Sequence, residues 1–96
     1  MGGEPLCSEN AFLTQLVIEN VLKMYPTIKI YIWTGYTWEE LMTRRDPKVM
    51  AILKHTDVLI DGRYIEEERD ITLPMRGSRN QRIIDVKKEL EQNESV

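Results

Sequence analysis

The chain is poor in the residues that most directly announce chemistry. Among its 96 residues there is one cysteine, Cys7, and one histidine, His55. A single thiol excludes an internal disulfide and fits a reducing cytosol. It also excludes a cysteine-ligated metal cluster built from this chain alone, because such a cluster needs several thiolates. His55 has no acid or nucleophile pattern around it and reads as a solvent-facing residue near a helix C-terminus. No apolar run approaches membrane-spanning length and no signal peptide is visible, so a cytoplasmic chain with no membrane partner is expected. Positive charge is not in excess: 13 Lys and Arg against 16 Asp and Glu give a net charge of −3, which argues against nucleic acid as the principal partner. Repeats and low-complexity linkers are absent, so residues 1–96 read as a single domain.

What remains is ordinary for a globular protein, with 42% apolar and 30% charged residues. Ser8 is a candidate N-cap for a helix running to about Tyr25. Leu13, Leu16, Val17, Val21 and Met24 recur at helical spacing and are expected to face a sheet. Phe12, Ile18 and Leu22 widen the apolar sector, so the helix is expected to be well covered. Pro26 stops it. Residues 28–33 alternate Ile28, Ile30 and Ile32 against Lys29, Tyr31 and Trp33, the pattern of a strand. Thr37 and Glu40 form a capping-box pair that starts a short helix to about Arg44, and Asp46-Pro47 starts another. Val49, Met50, Ile52 and Leu53 supply the buried side of that second piece. Residues 57–61 are a short apolar strand that Gly62 ends. Residues 63–74 are charged and irregular, with a solvated run at Glu66, Glu67 and Glu68. Residues 81–86 read as a last strand and 87–96 as a polar tail, helical at first and then frayed.

Alternation of this kind predicts an α/β fold, a parallel sheet whose strands are joined by right-handed crossover helices. Ligands then sit beyond the carboxyl ends of the strands. Three polar, glycine-bearing turns are expected there: residues 2–5, on the condition that a strand absent from this sequence precedes them, residues 34–36 and residues 61–63. Their convergence on one edge is the reason to expect a small-molecule site. Trp33 and Trp38 read as packing residues.

Four blocks in this order, Gly2-Gly3-Glu4-Pro5-Leu6, Ile32-Trp33-Thr34-Gly35-Tyr36, Val58-Leu59-Ile60-Asp61-Gly62-Arg63-Tyr64 and Arg76-Gly77-Ser78-Arg79-Asn80-Gln81-Arg82, resemble the C-terminal part of the activases of the anaerobic ribonucleoside-triphosphate reductase. These are radical S-adenosylmethionine enzymes, and the similarity runs from Gly2 to about Lys88. The resemblance implies a fragment of a partial (β/α) barrel that serves to generate a glycyl radical on the reductase by reductive cleavage of S-adenosylmethionine. It implies a 4Fe-4S cluster on three closely spaced cysteines, an electron donor such as a flavodoxin, and the reductase as partner. The cysteine stretch is missing here, so no catalytic residue and no metal ligand is expected in this chain, and it is expected to be inactive alone.

The resemblance further implies that Gly2, Gly3, Glu4 and Pro5 form the turn at the cofactor's amino group, with Thr34 and Gly35 lining the pocket. Asp61 is implied to face a group of the cofactor, a cation or Arg63, the plainer reading being a cap on the following turn. Arg76, Gly77, Ser78, Asn80 and Gln81 make the most family-particular block, suited to a loop closing on a ligand carboxylate or a partner's backbone. The strip of Arg76, Arg79 and Arg82 is either solvated or turned to the reductase. The competing expectations are an activase of another glycyl-radical enzyme, and a non-catalytic α/β binding module complete at this length. An exposed sheet edge that pairs chains into dimers is the expectation of a truncated barrel.

Overall fold

Local chemistry at residues 37 and 46 builds the centre of the molecule. The computed structural model describes residues 3–94. In it Thr37 and Glu40 bond reciprocally, Glu40 N to Thr37 Oγ1 at 3.1 Å and Thr37 N to Glu40 Oε1 at 2.8 Å, and start α2 (Trp38–Arg44). Asp46 caps α3 (Pro47–Lys54) by accepting from Lys48 N at 2.9 Å, with proline at the first helical position, where a missing N–H costs nothing. Before them come α1 (Ala11–Met24) and β1 (Tyr31–Trp33). After them come β2 (Val58–Asp61), a 3-10 turn at Glu66–Glu68, β3 (Arg82–Asp85) and α4 (Val86–Glu94).

The sheet has the order β1-β2-β3. β1 and β2 are parallel, with Ile32 opposite Leu59, and α2 with α3 forms the crossover between them. The third strand corrects the expectation of a wholly parallel sheet: β3 runs antiparallel to β2, Asp61 opposite Arg82 and Val58 opposite Asp85. The cause lies in the connection. A parallel strand needs a crossover that returns the chain to the far end of the sheet. Residues 62–81 contain only the short 3-10 turn and fold back on themselves, bridged between Arg69 and Ser78, so β3 starts at the end where β2 stops.

Ile32, Leu59 and Ile84 form one cross-strand row facing the helices. They meet Leu6, Ile18, Trp38, Leu41, Val49, Ile52, Leu53 and Val86 in the core. The expected packing role of Trp38 holds, at 6% exposure. Trp33, Ile60 and Ile83 form the row on the opposite face. There Trp33 is half exposed and its indole N–H donates to Met75 O at 2.7 Å, which draws the long loop across that face.

Helix α1 departs from its expected placement. It begins at Ala11 after Asn10, and Ser8 does not cap it. Its buried residues are Ala11 and Ile18, with Leu22 packed at the core's margin, because α1 packs chiefly against α3. Phe12, Leu13, Leu16, Val17 and Met24 are exposed, so the predicted stripe is the outer face. The helix is apolar nearly all round. Spacing identified the helix but could not choose which face the small Ala11 would bring against a neighbour.

Candidate site at the carboxyl ends of the strands

Leu6 is fully buried and anchors the opening turn, whose carbonyls are then taken up one by one. Asn10 Nδ2 donates to Glu4 O at 2.9 Å, Thr14 Oγ1 to Pro5 O at 2.8 Å, and Arg44 Nη2 to Leu6 O at 3.0 Å. Arg44 also lies over the Tyr36 ring, 4.9 Å from its centroid, a cation–π contact that joins the end of α2 to the turn after β1. Glu4 reaches that same turn: Gly35 N donates to its Oε1 at 2.6 Å and Thr34 Oγ1 to its Oε2 at 2.7 Å. Thr34, almost wholly buried, in turn accepts from Tyr36 N at 3.2 Å.

The turn after β2 adjoins it through Gly62 N, which donates to Tyr36 O at 2.8 Å. Gly62 has φ +99°, a conformation that a Cβ disfavours, and this is why glycine ends the strand. Asp61 is 1% exposed and accepts from Trp38 N at 2.8 Å, which satisfies a first-turn amide of α2. Its cationic partner is Arg82, not Arg63. Arg82 Nε donates to Asp61 Oδ1 at 3.0 Å and Nη2 to Asp61 Oδ2, while Nη2 also meets Glu39 Oε1 at 2.7 Å. Hydrogen bonds to Asp61, and then to Glu39, hold the guanidinium charged still more firmly than usual. The bond from Arg82 holds the Glu39 carboxyl below the ordinary carboxylate value.

The block at residues 76–82 folds onto residues 62–65. Gln81 Nε2 donates to Gly62 O at 3.0 Å and Asn80 Nδ2 to Arg63 O at 2.7 Å. Gln81 Oε1 accepts from Gly77 N at 2.8 Å and from Ser78 N at 3.2 Å. Ser78, fully buried, accepts from Ile65 N and donates to Asn80 Oδ1. Arg76 Nη1 makes a long bond to Gln81 O at 3.4 Å, and its Nε is buried without a partner among the described residues. Arg79 is exposed. The polar groups of this block therefore serve the chain's own backbone first.

An open groove of about 630 Å³ runs along this rim, bordered by Gly35, Thr37, Glu39, Gly62, Arg63 and Asn80. A smaller depression of about 250 Å³ holds Glu4 and shares Gly35, Glu40 and Arg63 with it. The structure brings Glu4, Thr34, Gly35 and the Asp61–Gly62 turn together on one rim; Gly3 and Pro5 adjoin Asn10 and Thr14 instead, and Gly2 lies outside the described residues. Sequence reasoning missed Glu39 and the clamp made by Arg82. The charge contrast between the 76–82 strip and the acidic segment before it was the available signal, but pairing across 21 and 43 residues is not visible in spacing. His55 caps the C-terminus of α3 and is exposed, away from the rim, as expected.

Comparison with known proteins bears on residues 1–84, which match the family model described as a 4Fe-4S single cluster domain. Among curated proteins, the anaerobic ribonucleoside-triphosphate reductase-activating protein of Vibrio cholerae is 39% identical over 80 residues, 83% of this chain and 49% of the relative. That of Haemophilus influenzae is 40% identical over the same shares of each chain. That of bacteriophage T4 is 35% identical over 82 residues, 85% of this chain and 48% of the relative. The chain spans about half the length of the curated relatives it matches. No solved structure matches it.

Proposed function

The chain belongs to the 4Fe-4S single cluster domain family, and from that premise we propose that it forms the S-adenosylmethionine-binding edge of an activase for the anaerobic ribonucleoside-triphosphate reductase. The activity it serves is generation of a glycyl radical on that reductase by reductive cleavage of S-adenosylmethionine, with an electron donor such as a flavodoxin. The observation that carries the reading is the convergence of Glu4, Thr34, Gly35 and the Asp61–Gly62 turn on one groove-bearing rim. Relatives named as activating proteins of that reductase support it.

A 4Fe-4S cluster does not fit the residues present. Cys7 is the only cysteine, and among the described residues no three His, Cys, Asp or Glu side chains are grouped to hold a metal ion. Electron transfer to the cofactor therefore lies outside what these residues do. Their part is binding and orientation. Arg63 is exposed on the rim, has no ion-pair partner among the described residues, and is the cation available to a ligand carboxylate. The sheet is, in this reading, part of a radical S-adenosylmethionine partial (β/α) barrel. Among the described residues no strand pairs with the outer edge of β1 and the outer face of α1 is exposed, which supports that, since both features seek partners.

The test is a version of the chain fused behind a cysteine-bearing segment of the family and reconstituted anaerobically with iron and sulfide. Incubation with S-adenosylmethionine, reductant and the reductase is expected to give a glycyl-radical EPR signal on the reductase. A reconstituted cluster with neither cofactor cleavage nor radical would overturn the proposal. A signal on a different glycyl-radical enzyme alone would redirect it. One observation favours a non-catalytic α/β module instead: Glu4 and Asp61 are both already bonded to the chain's own donors. S-adenosylmethionine binding by the chain separates the two readings.

A further inference from the structure

Glu4 stands where a carboxylate facing a cationic ligand is expected, yet its oxygens already have partners. Gly35 N donates to Oε1 at 2.6 Å, and Leu6 N and Thr34 Oγ1 donate to Oε2 at 2.9 and 2.7 Å. A carboxylate offers about four acceptor positions, so roughly one is left. Two of the donors are 30 and 31 residues further along the chain, on the turn that leaves β1. The backbone of Glu4 is fixed as well, through Asn10 Nδ2 on its carbonyl and the buried Leu6 two residues on. A Cβ at Gly35 would stand 3.4 Å from Glu4 Oε1, ordinary contact distance, so the clasp comes from the Gly35 amide and not from the missing side chain.

We propose that Glu4 is a positioning residue: its carboxylate clasps the opening turn to the Thr34–Gly35 turn and so sets the shape of the rim, and it does not itself hold the ligand's cation. The role for a ligand rests on the reading of this rim as an S-adenosylmethionine site; the clasp itself does not.

The distinction predicts different fates for two variants. Glu4→Gln keeps an oxygen to accept from Gly35 N and gains an amide that donates to Thr34 Oγ1 but faces the Leu6 N–H, so it preserves the link between the two turns while removing the charge and the Leu6 bond. Glu4→Ala removes the link as well. Two readouts on the full chain are needed: hydrogen exchange at the Leu6 and Gly35 amides, and binding of S-adenosylmethionine by calorimetry at low and high salt. The expected result is protection at both amides in the parent, lost in Glu4→Ala and largely kept at Gly35 in Glu4→Gln. Affinity should fall about tenfold or more in Glu4→Ala and no more than about threefold in Glu4→Gln, at either salt, as loss of hydrogen bonds to a charged acceptor implies.

Equal loss of affinity in both variants, with Gly35 still protected in Glu4→Gln, would show direct charge recognition and overturn the proposal. Unprotected Leu6 and Gly35 amides in the parent would overturn the clasp. Failure of the parent to bind S-adenosylmethionine while the exchange pattern holds would sink the functional reading and leave the clasp supported.

Discussion

Replacing Asp61 by asparagine tests the strongest electrostatic element of the rim. The carboxylate is 1% exposed and accepts from Trp38 N, Arg82 Nε and Arg82 Nη2. Asparagine keeps the shape but must turn an NH2 group toward either the α2 amide or the guanidinium, leaving a donor facing a donor. Removing one partner of a fully buried pair costs about 3–5 kcal/mol. Arg82 is half exposed and keeps Glu39 and water as partners, so the lower cost of one unsatisfied charged hydrogen bond, about 2 kcal/mol, is the better expectation. With a urea slope of about 1.3 kcal/mol/M for a chain of this size, the midpoint falls by roughly 1.5 M at unchanged slope. Urea unfolding followed by far-UV circular dichroism measures it. Glu39→Gln is the control, with an expected loss under about 0.5 kcal/mol because that pair is solvated. A loss in Asp61→Asn no larger than in Glu39→Gln would refute the argument that burial makes the Asp61–Arg82 pair the stronger contact.

The bond from Arg82 depresses the Glu39 pKa, so Glu39 contributes stability above its unfolded value that disappears as pH falls through its folded value. Thermal melts between pH 6 and pH 3 (roughly the range about carboxylate titration) should therefore fall less steeply in Glu39→Gln than in the parent. Ile18→Ala, on the buried side of α1, is expected to cost about 2–4 kcal/mol, whereas Leu13→Glu on the outer face should change stability by less than about 0.5 kcal/mol. Sedimentation of the parent and of Leu13→Glu tests whether the exposed outer face of α1 pairs chains: an assembly in the parent that Leu13→Glu dissolves is expected if it does, and identical profiles would show that it does not. Gly62→Ala, at φ +99°, is expected to lose about 1–2 kcal/mol in a thermal melt, and no loss would show that the turn relaxes without strain.

The parts of the fold legible in the sequence are those that local rules decide. The Thr37–Glu40 box, Asp46 with Pro47, and the apolar run ended by Gly62 each set a boundary from within four or five residues. The direction of β3 was not legible, since it depends on whether a 20-residue connection crosses the sheet or folds back through the Arg69–Ser78 bridge. Nor was the buried face of α1, where apolar residues on several sides left the choice to α3. At the rim, periodicity placed the three turns at one edge, while the partners of Asp61 and Glu4 came from distant segments that only tertiary packing brings together.

Titration of the isotopically labelled chain with S-adenosylmethionine, followed by amide NMR, is the most direct test of the rim as a ligand site. Shift changes confined to the Gly35, Tyr36, Gly62 and Arg63 amides are predicted. Absence of change, or changes centred on Lys29, His55 and Lys87, which line a separate depression of about 400 Å³, would contradict the account.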